Sequence, residues 1–434
     1  MKVIYLTAGA AGMYCGSCMR DNSLAVALRE LGCETLLVPT YTPIRTDEDS
    51  IAEGRVFFGG INVFLEQKSS LFRKLPNFLT SWLSHPKIID RLARRSVKIK
   101  AAELGELTLS MLRGEHGNQA KEVAQLVDWL EGESPDLINL TNLLIGGFVP
   151  TLKRRLGCPV IVTLQGDDLF LGQLVEPHRS QALAELKKLA THVDAFVVNS
   201  RYYAGEMAEV LDQPLHKFHI VPLGADTADL LAAPAAKHDG RGRNIGYFAR
   251  ICPEKGFDVL VDAFLQLKER PENSDLELKA AGWLGANDEE FFEAQVAKIA
   301  AAGHSEDFVH AGSPDRDAKC EFLRGIDVFS VPTTYREPKG LYVIEALAAG
   351  VPVVQPDHGH FPELLARTGG GLLFPPSDST ELASALAKLI DNPQQRRELA
   401  TEGRKNVATM ASSTRMAEET LAVYRRLIAG SKQA

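Results

Sequence analysis

Two carboxylates eight positions apart, Glu337 and Glu345, pose the first chemical question of this sequence. Glu337 lies in a polar turn, Thr333 to Arg336, that leads into Leu341-Tyr-Val-Ile-Glu-Ala-Leu-Ala-Ala349. That run is made of good helix formers and stops at Gly350, so it predicts a helix with Glu337 at its mouth and Glu345 inside it. A helix mouth offers unpaired backbone N–H groups and a partial positive charge, which suit a phosphate. A carboxylate suits neutral hydroxyls instead. Glu337 then fits hydroxyls such as those of a sugar, and Glu345 a second hydroxyl pair such as that of a ribose. The bland alternative is two solvated helix carboxylates.

A second group of residues adds cations. Arg250, Lys255 and Gly256 follow the apolar run Asn244 to Ala249 directly. An arginine grips a phosphate through two N–H groups, and a lysine adds a point charge. A surface pair with no ligand is the competing reading. Earlier in the chain, Gln165, Asp167 and Asp168 end another apolar run, Pro159 to Thr163. They are candidate contacts to an acceptor or a sugar, set against helix capping by one of the aspartates. Cys15-Gly-Ser-Cys18 is a CxxC at a predicted helix mouth. It is either a redox dithiol or small residues in a tight loop, and no second ligand pair supports zinc.

These residues need strands to hold them. Asp327 to Pro332, the turn, the helix and Val351 to Gln355 read as one βαβ unit of a parallel sheet. Lys2–Leu6, a small-residue loop, an amphipathic helix from Arg20 to Gly32 and Glu34–Val38 form a Rossmann-like start. Nicotinamide binding is the rival there. The glycines do not follow G-x-G-x-x-G, and the second strand runs into Pro39-Thr40 rather than an acid. Gly54 to Leu65 predicts a hairpin, and Ser69 to Arg113 predicts helix. Further strands fall near 137–140, 159–163, 195–198, 276–281, 308–311 and 369–376. Thr227 to Arg243 reads as a linker, after which the αβ pattern restarts.

With 434 residues, 45% hydrophobic and 24% charged, the chain has ample core for two or three domains. A net charge of −8 argues against a nucleic-acid binder. Six scattered cysteines predict reduced thiols and a cytoplasmic protein. No apolar run reaches the roughly 20 residues of a membrane span. The stretch 73–100 is basic through Arg73, Lys74, Lys87, Arg91, Arg94, Arg95, Lys98 and Lys100. It reads either as a solvated face or as a patch for an anionic acceptor or for peripheral contact with the inner membrane face.

Taken in order, Tyr247-Phe-Ala-Arg250, Pro253-Glu-Lys-Gly256, Glu337-Pro-x-Gly-Leu341 with Glu345, and Gly371-Leu-Leu-Phe-Pro-Pro-Ser-Asp378 resemble the retaining glycosyltransferases of family 4. The resemblance covers the whole chain and is strongest from Val221 to Asp378. It implies an α/β fold of GT-B type: two facing Rossmann-like domains with parallel sheets and an interdomain cleft. Residues 1–225 would be the acceptor side, joined by the last helix over 414–434, and 226–413 the nucleotide-sugar side. Arg250 and Lys255 would hold the diphosphate, Glu337 the donor sugar and Glu345 the ribose. Gly340 and Leu341 would offer backbone N–H groups, and Gly12 would face the phosphates. The implied partners are a UDP- or GDP-linked sugar and an acceptor such as a glycan or lipid-linked precursor, with no cofactor and no metal. The implied reaction retains configuration: an acceptor hydroxyl attacks as the diphosphate leaves. A GT-B epimerase or phosphorylase, and an NAD-dependent oxidoreductase, stay as alternatives. Two positions depart from the family pattern: Gln165 stands where a histidine is usual, and Lys339 where phenylalanine is common.

Overall fold

The computed structural model describes residues 1–9, 15–44, 46–53, 56–58, 67, 101–236, 240 and 242–431. Gly12, the basic stretch 73–100 and most of the expected hairpin over 54–65 lie outside the described residues.

Contacts divide the chain into two units, Met1–Pro222 with Met416–Ala434, and Leu223–Arg415. Each holds a six-stranded sheet. In the first unit, β1 (Lys2–Thr7), β2 (Glu34–Pro39), β3 (Leu137–Leu140), β4 (Val160–Thr163), β5 (Ala195–Val198) and β6 (Phe218–Ile220) pair in the order β2-β1-β3-β4-β5-β6. Every pairing is parallel. The central strands are short apolar runs buried on both faces, as parallel sheets require.

The second unit holds β7 (Asn244–Phe248), β8 (Glu277–Ala281), β9 (Phe308–His310), β10 (Val328–Phe329), β11 (Val353–Pro356) and β12 (Gly371–Phe374). Their order, β12-β11-β10-β7-β8-β9, is again wholly parallel. Strand order reverses between β1 and β3 in the first sheet and between β7 and β10 in the second. Loops leaving the carboxyl ends of such strand pairs are where open α/β sheets bind ligands.

Three expectations change in detail. β10 covers Val328–Phe329 rather than Asp327 to Pro332. Asp327 instead accepts from the backbone N–H groups of Arg243 and Asn244 at the entry to β7, and Pro332 has no N–H to extend a ladder. The first helix begins at Gly16, not Arg20, with Cys15 as its N-cap. Its first turns are not amphipathic: Arg20, Asp21, Asn22 and Ser23 are all buried. The linker contains a short helix, Ala228–Ala232.

The last helix, Ser413–Ser431, sends Met416, Ala417, Leu421, Val423 and Tyr424 into a core with Val3, Tyr5, Leu137, Ile161 and Val197 of the first sheet. Tyr424 Oη donates to Asn139 Oδ1 on β3 at 3.1 Å. None of the six cysteines is joined in a disulfide. Among the described residues, no helix is long and apolar enough to cross a membrane.

Candidate active site

The strand-order reversal of the second sheet brings together the turn after β7 and the turn after β10. Gly256 is the point of contact. Its φ of +67° is left-handed, and a Cβ there would stand 1.8 Å from the carbonyl oxygen of Pro332. Only glycine lets the two turns close to this distance. Thr334 N donates to Glu254 O at 3.0 Å across the same seam.

The seam sets Lys255 against Glu337. Lys255 Nζ lies 2.5 Å from Glu337 Oε2 and 2.6 Å from Tyr335 Oη. Tyr335 Oη donates to the same oxygen at 2.5 Å, and Tyr342 Oη at 3.2 Å. Glu337 Oε1 accepts from Lys339 N at 3.2 Å. The Lys255 ammonium also lies 5.0 Å from the Tyr335 ring centroid and 5.1 Å from that of Tyr342. Glu337 is 2% exposed. Burial pushes its carboxyl up, but the Lys255 charge and the hydrogen bonds from Lys255 and Tyr335 outweigh it and hold the pKa down at about 2. Glu337 is therefore an acceptor at neutral pH, not a proton source.

The loop carrying Glu337 is braced from behind. His360 N donates to Glu337 O at 2.8 Å, His360 Nδ1 lies 2.6 Å from Lys339 O, and His358 Nε2 lies 2.9 Å from Thr333 O. Burial lowers the pKa of His360, so the ring is neutral, and its Nδ1–H can donate to the carbonyl. Gly340, at φ +84°, turns the chain into helix Leu341–Ala348, whose first turn leaves N–H groups without intrahelical partners.

Glu345, 4% exposed, sits one turn deeper. Lys319 Nζ, itself nearly buried, donates to its Oε1 at 2.6 Å, and Arg316 Nη1 lies at 3.8 Å. Arg250 differs from these residues: its side chain is 41% exposed and pairs with Glu254 at 3.7 Å. It is a cation at the β7 end that faces solvent.

In the first unit, Gln165 is 6% exposed and Asp167 3%. Asp167 accepts from Leu143 N at 2.7 Å and Gln165 N at 3.4 Å. Burial nevertheless raises its pKa to about 7. Asp168 accepts from Tyr203 Oη at 2.6 Å. Asp167 and Asp168 open the helix Asp167–Gln173, while Gly166, not an aspartate, is its N-cap residue.

Sequence reasoning missed Tyr335, Tyr342, His358, His360 and the Lys319–Arg316 pair. Tyr342 stands inside the motif itself, on the helix face shared with Glu345. Tyr335 stands two residues before Glu337 in the same turn. The others come from a loop and a helix distant in sequence, and no local pattern marks them.

Two doubly wound parallel sheets with charged residues at the reversal define an architecture of GT-B type. Sucrose-phosphate synthase from Thermosynechococcus elongatus has the same fold, with a TM-score of 0.71 at 19% identity over 99% of this chain and 100% of that one. Anabaena HepE, solved with UDP, gives 0.68 at 16% over 98% and 100%. Two family models match the chain: "Glycosyl transferase 4-like domain" over residues 22–224 and "Glycosyl transferases group 1" over 233–406. The chain belongs to the family 4 glycosyltransferases.

Among curated relatives, an MMP alpha-(1->4)-mannosyltransferase of Mycolicibacterium hassiacum is 30% identical over 56% of this chain and 56% of its own length. A phosphatidyl-myo-inositol mannosyltransferase of Mycobacterium leprae is 31% identical over 49% and 54%. A D-inositol 3-phosphate glycosyltransferase of Nocardia farcinica is 27% identical over 49% and 48%. The chain spans about half the length of the curated relatives it matches.

Proposed function

We propose that this chain moves a sugar from a nucleotide-diphosphate sugar to an acceptor hydroxyl, with retention at the anomeric carbon. One observation carries the reading: a half-buried ammonium and a buried carboxylate meet at the strand-order reversal of the second sheet, beside an open helix end. The helix end and Lys255 suit the diphosphate, with the solvent-facing Arg250 beside them. Glu337 accepts from hydroxyls of the sugar, and Glu345 from those of the ribose. Gly340 and Leu341 supply N–H groups. As the acceptor hydroxyl bonds to the anomeric carbon, the bond to the diphosphate oxygen breaks. The growing negative charge then falls to the cations and the helix end. The acceptor proton leaves with the diphosphate, since Glu337 stays anionic.

The donor nucleotide is UDP or GDP, consistent with the UDP carried by Anabaena HepE. The relatives named for inositol phosphate and phosphatidylinositol acceptors support a polyol or lipid-linked acceptor. Domain roles follow the expectation from sequence: 1–225 with 414–434 for the acceptor, and 226–413 for the donor. No metal is needed while Lys255 and Arg250 neutralise the diphosphate. The basic stretch 73–100 would hold an anionic acceptor or a membrane face from the cytoplasmic side.

A thermal-shift screen over UDP- and GDP-sugars tests this. The right donor should stabilise by about 2.7 kcal/mol at a hundredfold excess over Kd. Stabilisation by NAD and by no nucleotide sugar would refute it. The anomeric configuration of the product, read by NMR coupling constants, tests retention. Lys255→Ala and Arg250→Ala should each lower kcat/KM by about a hundredfold with the far-UV dichroism unchanged.

A further inference from the structure

The first sheet carries a second polar centre at its own strand-order reversal, and its hub is Asp21, which has no place in the reading above. Asp21 is fully buried and receives five donors. Its Oδ1 accepts from Tyr5 Oη at 2.8 Å, Gln165 Nε2 at 2.9 Å and Arg20 Nη1 at 3.4 Å. Its Oδ2 accepts from Thr141 Oγ1 at 2.5 Å and Thr7 Oγ1 at 3.1 Å. The hub thus ties the first helix to the ends of β1, β3 and β4, the three loops at the ligand edge of this sheet.

This geometry leaves the Gln165 amide one orientation. Nε2 also reaches Thr141 Oγ1 at 3.1 Å, and the Thr141 hydroxyl hydrogen is spent on Asp21. With the Thr141 carbonyl oxygen at 3.5 Å, all three partners of Nε2 are therefore acceptors. A flipped amide would set Oε1 against a carboxylate oxygen and a hydroxyl lone pair. So both amide hydrogens are used, and Oε1 must point away. Gln165 Oε1 is buried with no donor among the described residues. Such an acceptor is costly to leave unmet, which makes it a place for an incoming hydroxyl.

We infer that Gln165 Oε1 accepts a hydrogen bond from a substrate sugar hydroxyl, and that Asp21 is the positioning residue that holds the amide for it. The inference rests on the sugar-transfer reading and deepens it. The hydroxyl belongs to the transferred sugar or to the acceptor, and the substrate must offer an O–H there.

Thermal shifts with UDP and GDP, compared with UDP-glucose and GDP-mannose, form the first arm of the test. Transfer kinetics with inositol phosphate form the second. The native chain should respond to a nucleotide and respond further to its sugar conjugate. Asp21→Asn should keep the nucleotide response but lose about tenfold of the affinity added by the sugar, the worth of one hydrogen bond. A loss confined to acceptor KM would place the hydroxyl on the acceptor, which also supports the inference. The exchange variant Asp21→Asn with Gln165→Glu keeps one amide, one carboxylate and one outward acceptor. It should recover to within about fivefold of the native chain, because the two positions couple.

Unchanged donor and acceptor affinities in Asp21→Asn would overturn the inference, as would an exchange variant no better than the single one. Should Asp21→Asn fail to fold, Gln165→Met, which leaves Asp21 its other four donors, must show the same selective loss. An unchanged Gln165→Met then overturns it. A native chain blind to every nucleotide and sugar nucleotide would sink the sugar-transfer reading itself, and this inference with it. That result is distinct from a native chain that responds while its variants match it.

Discussion

Lys255 matters to this site first through what it does to Glu337. A buried carboxyl with no cation beside it rises in pKa, whereas this one sits at about 2. Its folded pKa lies below the unfolded value of roughly 4.3, so its stabilising contribution is complete above that pH and disappears as the pH falls through about 2. Lys255→Met should erase that behaviour. Denaturant melts of native and variant chains should converge near pH 2 and differ most above pH 5, and a gap of constant size would argue against the pairing. Asp167 shows the opposite sign. Burial raises its pKa to about 7, so stability falls as the pH rises from about 4 to 7. Asp167→Asn should flatten that slope, as urea midpoints across the range would show.

At the scale of elements, the meeting of the β7 and β10 turns depends on Gly256. Gly256→Ala would drive a methyl group into the Pro332 carbonyl at a left-handed φ. We expect a loss of more than about 1 kcal/mol of stability. The larger effect should be on turnover, because Lys255 and Glu337 sit on the two turns that must separate. A variant with native kcat and native Tm would show that the seam has slack.

Much of this was legible beforehand. The apolar run at 195–198 predicts a strand, and β5 forms at Ala195–Val198. The same pattern puts Glu337 in the turn at the helix mouth and Glu345 inside the helix, and both stand there. Apolar runs bounded by turn residues reveal a parallel strand because burial on both faces demands them. β10 is shorter than its sequence suggests because Val331 and Pro332 look like strand while the chain is already turning. Tyr335, Lys319 and Asp21 left no trace, since their roles arise from pairings across 80, 26 and up to 144 residues of chain or from the burial of a polar helix turn. No periodicity records such pairings.

The whole molecule has separate cores, one in Leu223–Arg415 and others in the first unit. One of the latter is completed by the last helix. A chain ending at Arg415 would strip Met416, Leu421 and Tyr424 from beside Val3, Tyr5 and Leu137. Each such side chain contributes about 1.5–3 kcal/mol of burial, so the first unit should lose its cooperative melt while the second keeps its own. Calorimetry of the truncated chain would settle this, and two intact transitions would count against it.

That last helix also bears on how the protein is made. Residues that enclose β1 are synthesised long after it, once the whole of Leu223–Arg415 has been made. Throughout synthesis of some two hundred intervening residues, the nascent chain carries an open apolar face on its finished front half. Translation halted before Met416 should yield a sticky, chaperone-bound product rather than a usable fragment.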